Sequence, residues 1–303
     1  MAFFSLLAFL NIAFPKEGAS LPYIERVYVS GAASAGVTNV VVNGESVAVH
    51  PQGGWLTMVE VREGEVELVA EAKGERKVRR FKVAAKPRQG ALGARSAPAE
   101  KVYTKLDYVL DMPKARATTR VVVIDPGHGG KDDGAVSPHN LPEKDANLRL
   151  AASVKRALES LGYTVYMTRE DDTFIELYDR PKLIYEKDAD IFVSIHHNAP
   201  PVDKDPREIR YHAVYAWNSL GEELAKCINE KMALGFGDQL INNGVPHANF
   251  AVTRNPETPS CLIEADFLTT PEAELEVWNP ERREKIARAI AEGIDYYYRS
   301  YEL

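Results

Sequence analysis

The stretch "RVVVIDPGHGG" (residues 120–130) decides the fold class, because it joins an uninterrupted apolar run to a glycine-rich turn. A short apolar run of this kind is typical of a strand buried on both faces of a sheet. From this point on, apolar runs alternate with amphipathic segments such as 143–162 and 281–301. The alternation predicts an α/β domain over residues 119–303, with a twisted, mostly parallel sheet flanked by helices.

Residues 21–86 follow a different pattern, in which short β-rich runs are separated by turns such as Asn43-Gly44 and Gly53-Gly54. Strands at this spacing, without a helical period, predict a small all-β sandwich. The pattern resembles the Ig-like modules that are often appended to bacterial surface and cell-wall enzymes. We expect such a module to bind the wall or a protein partner, with a spacer role as the alternative. Residues 84–100 are rich in Ala, Gly, Pro and Ser, and residues 87–118 are predicted to form a linker.

The first 20 residues carry an apolar run from Ala2 to Phe14. The run is too short to span a bilayer as a relaxed helix, but it fits the apolar core of a signal peptide. No Lys or Arg precedes it, and the nearest candidate cleavage position, around Ala19, has Glu17 at an awkward place. We expect a signal peptide over residues 1–20 and export to the periplasm, cell wall or exterior of a bacterium. An ordinary buried segment is the alternative.

Composition excludes several classes of protein. The 303 residues are 45% hydrophobic and 27% charged, which is enough apolar material for a real core. The net charge of −7 argues against a general nucleic-acid binder. The glycine-rich turn lacks both the GxGxxG spacing of a dinucleotide site and the Lys-Ser/Thr of a P-loop. Cys227 and Cys261 form no metal-type CxxC pair, so we expect two free buried thiols, with one disulfide as the alternative.

Side chains able to bind a metal follow several of the predicted strands. His128 lies in the glycine-rich turn, His196 and His197 end the run "IFVSIHH", and Glu264 ends "SCLIE". Glu143 begins the helix after the first strand. Sites in open α/β sheets lie beyond the carboxyl ends of the strands. Two imidazoles and one carboxylate from separate elements are typical of a catalytic zinc site with one open position.

Four motifs, in this order along the chain, resemble the zinc-dependent N-acetylmuramoyl-L-alanine amidases (amidase type 3) of bacterial cell walls. They are "IDPGHGGKDDGA" (124–135), "LPEKDANLRLA" (141–151), "VSIHHNA" (193–199) and "INNGVPHANFAVTRNPETPSCLIEADFLTTPEAE" (241–274). Each motif alone is weak, but four in the right order make a specific signal, and the resemblance covers about residues 119–300.

The resemblance implies Zn²⁺ ligands at His128, Glu143 and His196 and a catalytic glutamate at Glu264. In the family motif the metal histidine follows Ser-Ile directly, which selects His196 and leaves His197 at a variable position facing away. The implied reaction is hydrolysis of the amide bond between the lactyl group of N-acetylmuramic acid and L-alanine in peptidoglycan. We expect the protein to be a monomer that binds neither nucleic acid nor a dinucleotide.

Two rival functions are a zinc carboxypeptidase that trims peptidoglycan stem peptides and a non-catalytic wall-binding protein. Zinc carboxypeptidases place their first two ligands close together as HxxE, whereas His128 and Glu143 lie 143 − 128 = 15 residues apart. The presence of all four site residues argues against a degenerate, non-catalytic site.

Some site residues have alternative interpretations. Glu143 lies three residues after Asn140 and could complete a capping box instead of binding metal. Asp125 could hold a ring nitrogen of a zinc histidine or cap its own turn. Asp266 departs from the family pattern; it either raises the pKa of Glu264 by charge repulsion or turns outward.

Three further histidines have no assigned ligand role. His139 lies near Glu143 in a polar loop and has no matching family position. His247 is a candidate for lining the substrate groove, and His212 is expected to be structural.

Overall fold

The computed structural model describes residues 10–86 and 120–301, so residues 1–9 and the predicted linker at 87–118 lie outside the described residues. The strands are Leu10–Phe14 (β1), Ser20–Leu21 (β2), Arg26–Ala33 (β3), Asn39–Val42 (β4), Glu45–Ala48 (β5), Gly54–Glu60 (β6), Gly64–Ala72 (β7), Glu75–Val83 (β8), Val121–Pro126 (β9), Thr164–Met167 (β10), Ile191–Asn198 (β11), Tyr211–Ala216 (β12), Ile241–Asn242 (β13) and Ser260–Phe267 (β14). The helices are Glu143–Ser160 (α1), Lys182–Lys187 (α2), Ser219–Phe236 (α3), Pro271–Trp278 (α4) and Pro280–Tyr301 (α5).

Residues 10–86, called the β region below, form two sheets. One has the order β1-β3-β6 and the other β2-β8-β7-β4-β5. A single cluster of buried side chains, which includes Leu68, Trp55 and Phe81, draws on both sheets. The β-rich runs of the sequence from residue 26 onward correspond to strands β3 to β8. The Ig-like assignment stays a prediction.

The N-terminal apolar run behaves differently from the expected signal peptide. Leu10–Phe14 pairs antiparallel with β3, and Leu10 and Ile12 are 0% and 3% exposed. Residues 10–14 are therefore part of the paired β region, ahead of the expected boundary at residue 21, and the signal peptide stays a prediction. The reason is that a short apolar run is compatible with a buried strand as well as with a signal-peptide core, and sequence alone does not separate the two.

The second part of the chain, residues 120–301, contains a six-stranded mixed sheet in the order β10-β9-β11-β14-β12-β13. Strands β10, β9, β11 and β14 are parallel, and β12 runs antiparallel to β14. Helices α1, α3 and α5 cover one face, where Ile124, Val193 and Ile263 are buried. Phe192 and Leu262 point to the other face, which α2 covers with Ile184. This mixed, mostly parallel sheet flanked by helices confirms the predicted architecture.

Two helices differ from the expectation. The sequence "LYDRPKLIYEKDA" (177–189) predicts a helix over its whole length, but only Lys182–Lys187 is helical, because Pro181 is tolerated at the start of a helix and not inside it. Helix α4 was not predicted, although Thr270 caps it by accepting a hydrogen bond from the Ala273 N–H, and Pro271 fills its first turn. Among the described helices, none is both long and apolar enough to cross a membrane.

The β region packs against the α/β domain, at the edge where the carboxyl ends of the parallel strands of the α/β domain lie. Lys16 Nζ lies 2.8 Å from Asp133 Oδ2, and the Tyr28 N–H donates to the Val202 carbonyl at 3.1 Å. Val202, in the loop after β11, also packs against the apolar core of the β region. These contacts place the β region beside the loops that carry the candidate site.

Candidate metal centre

Three elements bring the predicted ligands together. His128 lies in the turn after β9, Glu143 is the first residue of α1, and His196 lies near the end of β11. Glu143 Oε1 is 3.2 Å from His128 Nε2 and 3.1 Å from His196 Nδ1. Each residue offers one ligand atom, and these three atoms all lie within 4.8 Å of one another. Among the described residues, this is the cluster of His, Cys, Asp and Glu side chains whose geometry suits a metal ion.

The glycines around the cluster leave space for the two rings. A Cβ on Gly127 would lie 2.1 Å from the His196 ring, and one on Gly134 would lie 2.5 Å from Glu143 Oε2. His128 itself has a φ of 61°, a conformation that non-glycine residues adopt rarely. The glycine-rich sequence is therefore needed to bring backbone close to the site, which explains the turn without invoking a phosphate.

Glu143 does not act as a capping-box partner. The N-cap of α1 is Pro142, and it makes no side-chain capping hydrogen bond. The Glu143 carboxylate instead accepts hydrogen bonds from the Ala135 N–H at 3.0 Å and from Asn147 Nδ2 at 3.0 Å. These donors hold the carboxylate toward the two histidines.

The electrostatics of the cluster favour its charged forms. Burial would raise the pKa of Glu143, but the hydrogen bonds from His128 and His196 hold it well below its usual range. Burial would lower the pKa of His128, but Glu143 and Asp132 together raise it to about 9. The Glu143 carboxylate therefore stays ionised at neutral pH, as a metal ligand must be, and a metal ion bound here would displace the proton from His128.

Glu264 faces the same site from the neighbouring strand. His196 and Glu264 are paired positions of β11 and β14. Glu264 Oε2 is buried and has no hydrogen-bond partner among the described residues. Burial and the negative charge of Glu143 raise the pKa of Glu264 well above its usual range. A buried carboxylate oxygen without a partner needs another group, and a water molecule or substrate atom at the cluster would supply one.

The donor set suits zinc. Two histidine nitrogens and one carboxylate oxygen, brought together from separate elements, are the donor types that catalytic zinc sites use. The unpartnered Glu264 oxygen lies next to this set.

Comparison with known proteins decides the family. The family model described as N-acetylmuramoyl-L-alanine amidase matches residues 122–296, more than half of the chain. The chain belongs to this amidase family. The match covers the sheet and all four predicted site residues, and it confirms the family resemblance of the motifs.

Individual relatives agree. The amidase AmiA of Escherichia coli is 31% identical over 233 residues, which cover 61% of this chain and 79% of that protein. AmiC of Neisseria meningitidis is 33% identical over 223 residues, and the aligned part of the chain spans about half (52%) of that relative's length. The solved structure of AmiC2 from Nostoc punctiforme is 37% identical, with a TM-score of 0.55, covering 59% of this chain and 97% of that one.

In this amidase domain, Asp132 orients His128, a role that sequence reasoning missed. Its carboxylate lies 2.8 Å from His128 Nδ1. Asp125 fits neither predicted role: it is fully buried and accepts hydrogen bonds from Arg180 at 2.9 Å and from Ser194 at 2.7 Å. The signal for Asp132 was its place four residues after the metal histidine, in the same glycine-rich turn.

Two buried arginines of the amidase domain were also missed. Arg169 and Arg180 are 4% and 5% exposed, and both donate to the Pro126 carbonyl. Arg169 also donates to the Gly127 carbonyl, and Arg180 to the His128 carbonyl. They hold the turn that carries His128. Their partners lie more than 40 residues away in sequence, so no local pattern predicts these contacts.

Asp266 does not perturb Glu264 in the way that one alternative proposed. It is fully buried and paired with two arginines: Arg210 at 2.9 and 2.8 Å, and Arg282 at 2.5 Å. An irregularity in the pairing of β11 with β14 follows Glu264, which breaks the simple alternation of faces. The raised pKa of Glu264 comes from burial and Glu143, and Asp266 is not among its causes.

The remaining histidines and cysteines stay outside the cluster. His197 is buried, and its Nδ1 lies 2.8 Å from the Asn147 side-chain oxygen. His212 is buried and stacks on Phe236. His247 is exposed, and its ring lies beside Trp217. Cys227 and Cys261 are both buried and free.

Proposed function

We propose that this amidase hydrolyses the bond between the lactyl group of N-acetylmuramic acid and L-alanine in peptidoglycan. In the proposal His128, Glu143 and His196 bind Zn²⁺, and Glu264 is the general acid and base. The observation that carries it is the His-Glu-His cluster, with ligand atoms within 4.8 Å, beside a buried carboxylate oxygen that has no partner.

Zinc bound by these residues would lower the pKa of a coordinated water and polarise the scissile carbonyl. Glu264 then takes a proton from the attacking water. The water oxygen bonds to the carbonyl carbon, the C–N bond breaks, and Glu264 delivers the proton to the leaving nitrogen. The products are a free lactyl carboxylate on the sugar and a stem peptide with a free amino terminus.

The surroundings of Glu264 suit both steps. A general acid and base works best when its pKa lies near the working pH, and burial moves this carboxyl in that direction. The Asp132 carboxylate supports the reaction indirectly, because its hydrogen bond to Nδ1 leaves Nε2 of His128 directed at the cluster. No serine or cysteine nucleophile is required: Cys261 is fully buried, and burial raises the pKa of its thiol.

The substrate sets the place of action. Peptidoglycan lies outside the cytoplasmic membrane, so we propose that the protein is exported to the periplasm or wall. The β region is proposed to contact wall polymer or a protein partner, and the protein is proposed to be a monomer.

Product identification tests the function. Purified peptidoglycan is digested with zinc-loaded protein and with Glu264→Gln, and the soluble products are identified by mass spectrometry. The expected result is free stem peptides and peptide-free glycan from the unmodified protein alone. Shortened peptides still attached to sugar would show a carboxypeptidase, and no soluble product would support the wall-binding alternative.

A further inference from the structure

A second buried polar network lies beside the metal centre. It consists of Ser137 and His139, in the loop before α1, and Glu274, in the first turn of α4. All three are at most 3% exposed. A fully buried carboxylate is costly unless it is paired and hydrogen-bonded, so this network needs a structural or functional reason.

The loop before α1 supplies the hydrogen-bond partners of the Glu274 carboxylate. Its Oε2 lies 2.6 Å from His139 Nδ1, and its Oε1 accepts from the His139 N–H at 3.2 Å. The Ser137 hydroxyl also donates to Oε1. One side chain of α4 therefore holds two residues that lie more than 130 positions earlier in the chain.

The residues that Glu274 holds form the turn that leads into Glu143. Ser137 accepts from the Leu141 N–H through its hydroxyl at 3.1 Å and donates its own N–H to the Leu141 carbonyl at 3.0 Å. Just beyond, the Glu143 N–H donates to the Ala135 carbonyl at 2.8 Å, and the Ala135 N–H donates back to the Glu143 carboxylate at 3.0 Å. The position of the Glu143 carboxylate thus depends on this turn.

The same network reaches the β region. His139 Nε2 lies 3.1 Å from the Gln52 carbonyl oxygen. Next to Gln52, a Cβ on Gly53 would lie 3.4 Å from His139 Nε2, and one on Gly54 would lie 2.9 Å from Pro271. The close approach at both glycines shows that the turn before β6 packs directly on the network.

We propose that Glu274 is a positioning residue for Glu143, and that His139 couples this position to the β region. The proposal rests on the metal-ligand role of Glu143 in the proposed function. Glu274 lies in the first turn of the helix that follows the strand of Glu264, so it links the segment of the proposed catalytic glutamate to the turn of a proposed metal ligand. Removing its carboxylate takes away the acceptor that the Ser137 hydroxyl and the His139 N–H share, and the buried turn has to rearrange to compensate for these lost hydrogen bonds.

Two measurements test the proposal on the full chain. Hydrogen exchange of the metal-free protein, followed by mass spectrometry, reports the order of residues 135–143. Competition with a chromophoric chelator gives the dissociation constant for zinc. For Glu274→Ala we expect faster exchange in this segment and about 10–100-fold weaker zinc binding, the range found when residues that orient metal ligands are removed. Glu274→Gln should recover part of both, because its amide oxygen can still accept from Ser137 and His139.

The matched control is Glu272→Ala, on the same helix but with its side chain 60% exposed. It should change neither quantity. Unchanged zinc affinity in a folded Glu274→Ala would overturn the proposal, as would an equal loss in Glu272→Ala. If Glu274→Ala fails to fold, Ser137→Ala replaces it, and a several-fold loss of zinc affinity is expected; an unchanged value would again overturn the proposal. A wild-type protein that binds no zinc would count against the proposed function, while the exchange comparison would still show whether Glu274 orders the turn.

Discussion

His196 and Glu264 occupy directly paired positions on two neighbouring parallel strands, β11 and β14. Neighbouring strands lie about 4.8 Å apart, and paired side chains stand on the same face. The imidazole proposed to bind the metal and the carboxylate proposed to move the proton are therefore placed by the sheet itself, not by a loop. This relationship makes the site rigid and its residues separately testable.

The two adjacent histidines should differ sharply in metal binding. His196→Ala removes a ligand atom of the cluster, so zinc content should fall from about one equivalent to near zero at a moderate chelator concentration. His197→Ala should keep its zinc, because its ring bonds to Asn147 and not to the cluster. Elemental analysis after dialysis measures both, and zinc loss confined to His197→Ala would show that the ligand assignment is wrong.

Glu264→Gln should lose hydrolysis but keep the metal. A general acid and base contributes about 10²–10⁴-fold to the rate, so kcat should fall by that range while zinc content stays unchanged. Release of stem peptides measures the rate. Glu257→Gln, on a nearby exposed position, is the control and should keep its activity. Activity within a few-fold of wild type in Glu264→Gln would exclude the proposed role.

The activity should depend on pH through Glu264. The carboxyl must be ionised to accept a proton from water, and burial together with Glu143 raises its pKa. The rate should therefore increase with pH. Because burial still acts when the zinc charge offsets that of Glu143, the acidic limb should lie above the pH at which an ordinary glutamate ionises. A pH profile of kcat/KM checks this, and full activity down to the ordinary glutamate range would contradict it.

The same raised pKa predicts a change in stability. A carboxyl whose folded-state pKa is raised binds its proton more tightly in the folded than in the unfolded protein, so it destabilises the fold as pH rises above the unfolded value. Metal-free Glu264→Gln should accordingly unfold at a higher temperature than metal-free wild type at pH 7. The difference should shrink as the pH falls. Calorimetry at two pH values tests the sign.

Gly127→Ala should weaken metal binding through a steric clash and not through backbone strain. Gly127 does not adopt a positive φ, but its added Cβ would lie 2.1 Å from the His196 ring. The methyl group would displace the His196 ring from its position in the cluster, so zinc affinity should fall by at least about tenfold. Gly235→Ala is the control, since its Cβ would meet only a methyl group at 3.2 Å. Chelator competition compares the two, and equal affinities would contradict the steric argument.

Asp266→Ala should destabilise the fold strongly. Removing one partner from a buried charged cluster costs about 3–5 kcal/mol. Here Arg210 would lose its buried carboxylate, and Arg282 would keep only the half-exposed Glu276. The surface pair of Lys155 and Glu170 offers a comparison, and Glu170→Ala should cost less than about 1 kcal/mol. Urea unfolding gives both values. Equal costs would show that the cluster adds nothing beyond an exposed ion pair.

The sequence predicted the parts of the site that lie at strand ends. His128, His196 and Glu264 follow apolar runs, and the general rule for open sheets placed them at one edge before any geometry was known. Glu143 needed the family resemblance, since its spacing from Asn140 also fitted a cap. The N-terminal boundary stays a prediction, because the run ending at Phe14 suits a signal-peptide core as well as strand β1.

What the sequence could not predict depends on contacts between distant residues. Arg169 and Arg180 hold carbonyls of a turn more than 40 positions away, and nothing near either arginine indicates this. The surroundings of Asp266 were missed for the same reason, since Arg210 lies 56 positions before it. The simple alternation of side chains between the two faces of a strand does not hold near Asp266, because the pairing of β11 with β14 shifts between His196 and Asn198.

The contact between His139 and the Gln52 carbonyl bears on how the two halves of the chain stay together. Two domains of one chain meet in an intramolecular event, so an effective concentration replaces the bulk concentration of separate molecules. An interface that would be far too weak to assemble from separate molecules can then be occupied most of the time. A change at Gln52 or His139 should thus act on the docking equilibrium itself.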